Sequence, residues 1–198
     1  MSRIGMLGGT FDPPHNAHLA LAEAARATLQ LDRVVVVPAG DPWRKRDRAV
    51  TPAAARVEMV RAAVAVHPWI SVSTIEVDRD GPSYTAETLA ALVQPDEQWW
   101  FILGADALAD MPHWSEPNRI LELARLAVAR RPDSTGPLLT PEVRATLPQI
   151  ESRIDFVQMP QLDISATEIR RRIAASESTD DLLPHAVREV IDRLALYR

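Results

Sequence analysis

Apolar residues in this chain gather into short dense runs separated by stretches of helical periodicity. The runs RIGMLG (3–8), RVVVVP (33–38), ISVSTIEV (70–77), QWWFIL (98–103), RLAVAR (125–130) and RIDFVQ (153–158) are predicted strands. Predicted helices fill 16–30, 52–66, 84–93, 117–124, 166–175 and 184–196. Several of the strands are apolar on both faces, as expected when helices cover both sides of a parallel sheet. Strand–helix alternation of this kind predicts an α/β fold, a doubly wound parallel sheet. The segments 41–51, 78–83, 111–116, 131–140 and 176–183 are rich in Pro, Asp, Ser or charge and are predicted loops. No internal repeat or low-complexity tract interrupts the pattern, and 198 residues suit one domain.

Doubly wound sheets bind ligands beyond the carboxyl ends of their strands, where the strand order reverses. The first predicted strand runs into GGTFDPPHNAH (8–18), and the fourth ends in LGAD (103–106). In the first of these, Gly8 and Gly9 are expected to let the backbone turn sharply and approach a ligand. Pro13 and Pro14 stiffen the path into the helix, and Asn16 or the residue before it is a candidate cap. His15 and His18 are three apart, so both can face one side of the first helical turn. Unpaired N–H groups and partial positive charge at a helix start suit a phosphate, and two imidazoles there can hold a phosphoryl oxygen. Taken alone, the same residues also fit a glycine turn and an amphipathic helix with two incidental histidines. A zinc site fits poorly, because HxxH lacks the i, i+4 spacing and glutamate of HExxH, and the chain has no cysteine.

Composition narrows the classes. A net charge of -5 argues against general nucleic-acid binding. Zero cysteines exclude disulfides and thiolate chemistry and fit a reducing, cytoplasmic setting. No run approaches the ~18 uninterrupted apolar residues of a membrane span, and the N-terminus lacks a signal-peptide core. Of 22 basic residues, only Lys45, in WRKRDR, is a lysine.

Taken whole, GGTFDPPHNAH resembles the first signature of the nucleotidyltransferase superfamily, (G)GTFDPxHxGH, and ISATEIR (164–170) resembles its second, near ISSTxIR. The likeness continues through PWRK, GPSYTAETL (81–89), LGADAL (103–108), HW (113–114) and ARRP (129–132), and points to the bacterial nicotinate-nucleotide adenylyltransferase family. This chain departs from the pattern at Ala17, where glycine is usual, and at Ala166, where serine is common. The resemblance implies a Rossmann-like sheet with a small C-terminal helical region (about 164–198), all within one nucleotidyltransferase domain. It implies adenylyl transfer from ATP to nicotinate mononucleotide, releasing pyrophosphate, with Mg2+ travelling on ATP through phosphate and water ligands and no dedicated protein metal cage. It implies small-molecule substrates, no nucleic acid and no membrane, and leaves homo-oligomerisation open.

Residue roles follow in the same terms. His15, His18 and Thr10 are expected at the transferring phosphate, with Gly8, Gly9 and Phe11 beside them. Ser165 or Thr167 can cap the second helix start, with Glu168 in a capping-box position, and Arg170 lies about one turn in, within reach of phosphates. Arg171 and Arg172 read as a solvated helix face. Ile164, Gly104, Asp106 and Arg131 are further ATP contacts that the resemblance implies. Lys45 suits a phosphate as a compact point charge. Nicotinate specificity is assigned to Tyr84 and Thr85 at a helix start that can receive the carboxylate, to Asp106, and to Trp114, whose face can stack on a pyridinium ring. At least one of Trp99 and Trp100 belongs to the core. The nearest rivals are a phosphopantetheine adenylyltransferase, a family of shorter chains without GPSYT and HW, and a silent nucleotide-binding module, which a missing histidine would favour.

Overall fold

The computed structural model describes residues 1–42, 49–130 and 138–198. Its six strands are β1 (Ser2–Gly9), β2 (Arg33–Pro38), β3 (Ile70–Val72), β4 (Glu97–Gly104), β5 (Arg125–Arg130) and β6 (Ile154–Gln158), in one sheet of order β3-β2-β1-β4-β5-β6. β4 runs parallel to β1 and to β5, and β5 parallel to β6. The register sets Ile4 against Trp99, Met6 against Phe101, and Phe101 against Leu126. This is the Rossmann-like order, and its reversal at β1 puts the segment after β1 at the topological switch point. The helices are α1 (Asn16–Leu29), α2 (Ala53–Val64), α3 (Thr85–Leu92), α4 (Ala105–Asp110), α5 (Pro117–Leu123), α6 (Pro141–Thr146), α7 (Ile150–Arg153), α8 (Ala166–Ala174) and α9 (His185–Arg193).

The chain divides into two compact units, and each has its own core. The first comprises Met1–Gly8, Leu21–Val35 and Tyr84–Gln161. Its centre is β4, where Trp99, Trp100, Phe101, Ile102 and Leu103 are all buried, so both faces of the strand are covered. Leu126, Ala127 and Val128 of β5 continue that layer, and Leu89, Leu108, Ile120 and Leu121 close over it from helices. Each of these Leu, Ile, Val and Phe side chains contributes roughly 1.5–3 kcal/mol on burial. Both tryptophans of the WW pair are core residues. The Trp100 indole N–H donates to Asp155 Oδ2 at 2.8 Å, and the Arg125 guanidinium grips the same carboxylate at 2.7 and 3.0 Å. Burial pushes the Asp155 carboxyl up, but the Arg125 and Trp100 hydrogen bonds and the Arg125 and Arg3 charges together hold it below its ordinary value.

The second unit comprises Gly9–Ala20, Val36–Ser83 and Leu162–Arg198. Here α9 buries a single stripe, Val187, Val190 and Ile191, at helical spacing. α8 buries Ile169 and Ile173. α2 buries Val57, Met59, Val60, Ala63 and Val64, and with them Arg56. α8 and α9 both end in Schellman turns. Glu177 N–H returns to Arg172 O after left-handed Ser176, and Leu196 N–H returns to Ile191 O after left-handed Ala195.

Several expectations change. The strand anticipated over 70–77 stops at Val72, because Thr74 takes over the local bonding: its carbonyl accepts from the N–H groups of Val77 and Asp78, and its hydroxyl donates to Asp78 at 2.6 Å. Chain anticipated as loop at 111–116 contains a 3-10 turn, Met111–His113, anchored by fully buried Met111. α4, α6 and α7 carry too few residues for periodicity to reveal them. The helix anticipated over 184–196 ends at Arg193, where its Schellman turn reverses the chain. Among the described residues no helix is long and apolar enough to cross a membrane.

Candidate active site

The turn after β1 is not made by its glycines. Gly8 and Gly9 finish the strand, and the left-handed residue is Phe11, at φ 50°. Phe11 is buried, and its ring folds back over Gly9, where a Cβ would lie 2.9 Å from the ring. Glycine at position 9 is therefore a matter of space. The same ring meets His18 edge-on, with centroids 4.9 Å apart. A cis Asp12–Pro13 bond and Pro14 then lead to the start of α1.

At that start the two imidazoles stack, with centroids 3.7 Å apart and planes 27° from parallel. His15 takes the N-cap position and His18 the third helical one. The backbone N–H of His15 donates to His18 Nδ1 at 3.1 Å, and the His18 N–H donates to His15 O at 2.9 Å. This is the returning half of a capping box, with an imidazole where glutamate is common. Because Nδ1 accepts, neutral His18 carries its proton on Nε2, and that edge is a donor. Asn16 is thus the first helical residue, not the cap. Its side chain and N–H tie down the carbonyls of Asp181 and Leu182.

His15 is 8% exposed, and among the described residues its Nδ1 is a buried polar atom with no hydrogen-bond partner. Burial alone pushes its pKa down to about 4, so it is neutral near pH 7. An uncharged imidazole with one buried unpaired nitrogen, beside a donor imidazole, is a costly arrangement for a core and a useful one for binding polar groups.

Besides Arg170, this segment is held by Asp12, Thr51, Arg56 and Tyr197, none of which carries an expected role. Asp12 is 4% exposed, and its carboxylate accepts from the Tyr197 hydroxyl at 2.6 Å and from the Thr51 N–H at 3.4 Å. Its carbonyl accepts from Arg170 Nη1 at 2.7 Å. Burial raises the Asp12 carboxyl, but hydrogen bonds from Thr51 and Tyr197 and the Arg170 charge more than reverse this and keep it ionised. Arg56, only 1% exposed, spreads its guanidinium over three carbonyls: Thr51 and Thr10 at 2.8 Å each and Gly40 at 3.2 Å. Its pKa falls through burial, with the Asp12 charge opposing the fall. Gly40 is needed for space, since a Cβ there would sit 2.0 Å from the Glu76 carbonyl oxygen.

The second signature meets the first at Arg170. Its Nη2 lies 3.3 Å from Thr167 Oγ1 while Nη1 holds Asp12, so it braces the histidine segment. Ser165 is the cap of α8, accepting from the Glu168 N–H at 3.2 Å. The Glu168 carboxylate does not complete a capping box. It turns instead to Arg171 and Arg172, whose hydrogen bonds hold it down at about 2. Arg171 also pairs with Glu177, so the two arginines form the solvated face expected of them.

Gly9, Thr10, Phe11, His15, His18, Ile164, Ser165, Thr167 and Arg170 therefore belong to the second unit. Gly8, Tyr84, Thr85, Gly104, Asp106 and Trp114 belong to the first. There, Tyr84 is the N-cap of α3 and Thr85 its first residue, and the Tyr84 carbonyl accepts from the Thr88 hydroxyl at 3.1 Å. Gly104 is the N-cap of α4, and Asp106 lies exposed in its first turn. Trp114 is half-buried, its indole N–H donating to Asp110 at 2.9 Å and its ring edge-on to Phe101 at 5.9 Å. Lys45 and Arg131 lie outside the described residues. Among those described, no three His, Cys, Asp or Glu side chains are grouped to hold a metal ion.

The family model for cytidylyltransferase-like proteins matches residues 6–172, which include both signatures. A probable nicotinate-nucleotide adenylyltransferase of Roseiflexus sp. is 45% identical over 98% of each chain. One of Thermomicrobium roseum is 42% identical, over 100% of this chain and 92% of its own. The nicotinic acid mononucleotide adenylyltransferase of Plasmodium falciparum, solved in complex with NaAD, shares the fold with a TM-score of 0.75 over 100% of this chain and 98% of its own, at 20% identity. With its Rossmann-like strand order, its paired imidazoles and relatives of this identity along its whole length, the chain belongs to the nicotinate-nucleotide adenylyltransferase family within the cytidylyltransferase-like nucleotidyltransferases.

Proposed function

We propose that this chain transfers the adenylyl group of ATP to nicotinate mononucleotide, forming nicotinate adenine dinucleotide and pyrophosphate. The observation that carries the reading is the stacked pair at the start of α1: a neutral His15 with a buried unpaired nitrogen, against a His18 whose tautomer is fixed. A phosphate monoester is already an anionic nucleophile, so the protein need supply no strong base. One of its oxygens forms a bond to the α-phosphorus as the bond from that phosphorus to the bridging oxygen breaks, and the electron pair leaves on pyrophosphate. Catalysis then reduces to alignment and charge stabilisation. His18 donates from Nε2 to an α-phosphate oxygen, and His15 supplies a second polar contact. The N–H groups at the start of α8 favour phosphate.

The remaining assignments belong to the same proposal. Thr10, Lys45, Arg131 and Arg170 serve phosphate. Gly8, Gly9, Phe11, Gly104, Asp106, Ile164, Ser165 and Thr167 border ATP. Tyr84 and Thr85 receive the nicotinate carboxylate at the start of α3, where an amide would set donor against donor. Trp114 stacks on the pyridine ring, braced by Asp110. Mg2+ rides on ATP, where it neutralises phosphate charge. Its preference for phosphate and water oxygens suits a site built from imidazoles and backbone N–H groups. The whole chain acts as one nucleotidyltransferase domain, in the cytoplasm.

The test is pyrophosphate release from ATP with nicotinate mononucleotide, nicotinamide mononucleotide or phosphopantetheine as acceptor. Release is expected to be fastest with the acid. Release with phosphopantetheine alone, or with none of the three, overturns the reading.

A further inference from the structure

Tyr197 lies after α9, far in sequence from either signature, yet it touches the histidine segment directly. The Schellman turn of α9 explains how. With Ala195 left-handed, Leu196 N–H caps Ile191 O, and Tyr197, itself at φ 63°, turns back toward α2. Its hydroxyl lies 3.9 Å from Met59 Sδ on α2 and donates to Asp12 Oδ1 at 2.6 Å. A left-handed backbone at two non-glycine residues costs about 1–2 kcal/mol each, so something must hold the turn. The charge-assisted bond to Asp12 does. Burial and the adjoining Asp12 raise the Tyr197 pKa well above its ordinary value, so it remains a donor at any working pH.

We propose that Tyr197 is a positioning residue for the reaction, acting through Asp12 to set the placement of His15 and His18. Asp12 is separated from His15 by two prolines, whose rings fix φ, so little torsional freedom lies between the anchored carboxylate and the N-cap histidine. Each other fixed point on Asp12 comes from a different element: Thr51 before α2 and Arg170 on α8. Removing the Tyr197 hydroxyl takes its bond from Asp12 Oδ1 and its link to the Thr51 side chain, and leaves the aromatic ring to fill its place beside Met59. His15 and His18 are stacked and mutually bonded, so they shift together. Alignment with the α-phosphate is then lost while ground-state binding is kept.

This proposal rests on the adenylyl-transfer reading, and its test separates the two. Tyr197→Phe is compared with wild type by melting temperature, by steady-state kinetics with ATP and nicotinate mononucleotide, and by 15N spectra of histidine-labelled protein. The expected result is a kcat lowered about 10- to 100-fold, with both KM values within about threefold and a folded protein. The His15 and His18 signals are both expected to move, while His18 keeps the Nε2–H tautomer that its bond from the His15 N–H fixes. In a cycle with Asp12→Asn, the double variant is expected to be no slower than Asp12→Asn alone. A kcat within twofold of wild type, unmoved histidine spectra, or additive losses in the cycle would overturn the proposal. If wild type itself releases no pyrophosphate, the functional reading fails, while the spectra still decide whether Tyr197 sets the imidazoles.

Discussion

The neutral state of His15 predicts a specific acid sensitivity of the fold. In the unfolded chain this imidazole titrates at its ordinary 6.5, and in the folded protein burial puts it at about 4. Between those values the unfolded state holds a proton that the folded state refuses, so stability falls as pH drops through 6.5 toward 4. Above 6.5 both forms are neutral and the site contributes no slope. Going from pH 7 to pH 4.5, one group with these two values removes about 2.5 kcal/mol at 1.36 kcal/mol per pK unit. That is a sizeable share of the roughly 5–15 kcal/mol that holds a typical domain folded. The assay is urea unfolding of wild type and His15→Gln at both pH values. Other groups titrate in both proteins and cancel in the comparison, so wild type should lose about 2.5 kcal/mol more than the variant. Equal losses in the two would mean that His15 is not held neutral by burial, and would remove the basis for an uncharged imidazole at the α1 start.

Three further outcomes are predicted. Arg56→Met leaves the carbonyls of Thr10, Gly40 and Thr51 without their donor, which should cost about 3–5 kcal/mol and lower Tm by about 6–20 °C in a chain of this size; a melt within about 2 °C of wild type refutes the role. His18→Ala should reduce turnover about 10²- to 10⁴-fold in a folded protein, checked by pyrophosphate release, and near-wild-type turnover would count against Nε2 as a donor to the transferring group. Trp114→Ala should raise KM for nicotinate mononucleotide with little change for ATP; an equal rise in both would argue against stacking.

The strands, the layer order and the imidazole pair are legible in the sequence because local patterns encode them. Dense apolar runs make buried parallel strands, and spacing of three puts two side chains on one helical face. What escapes is determined by tertiary contact. ISVSTIEV alternates like a strand, but the Thr74 hydroxyl and carbonyl capture the chain into a turn. Arg56 sits three, four and seven residues before Met59, Val60 and Ala63, so an arginine on an otherwise buried stripe is a signal that could have marked it. Tyr197 carries no such mark. Its partner is 185 residues away, and nothing between them in sequence indicates the meeting. The glycines of the first segment mislead in the opposite direction, since the residue that bends the chain is an aromatic one.

That aromatic residue binds the fates of three positions. Alanine at 9 would collide with the Phe11 ring, and a smaller residue at 11 would make room for it only by stripping the edge of His18 of its cover. Variation at 9 and 11 should accordingly be coupled: a smaller residue at 11 relieves the clash at 9 but leaves His18 uncovered, so a library that changes one site at a time would misjudge what each position costs.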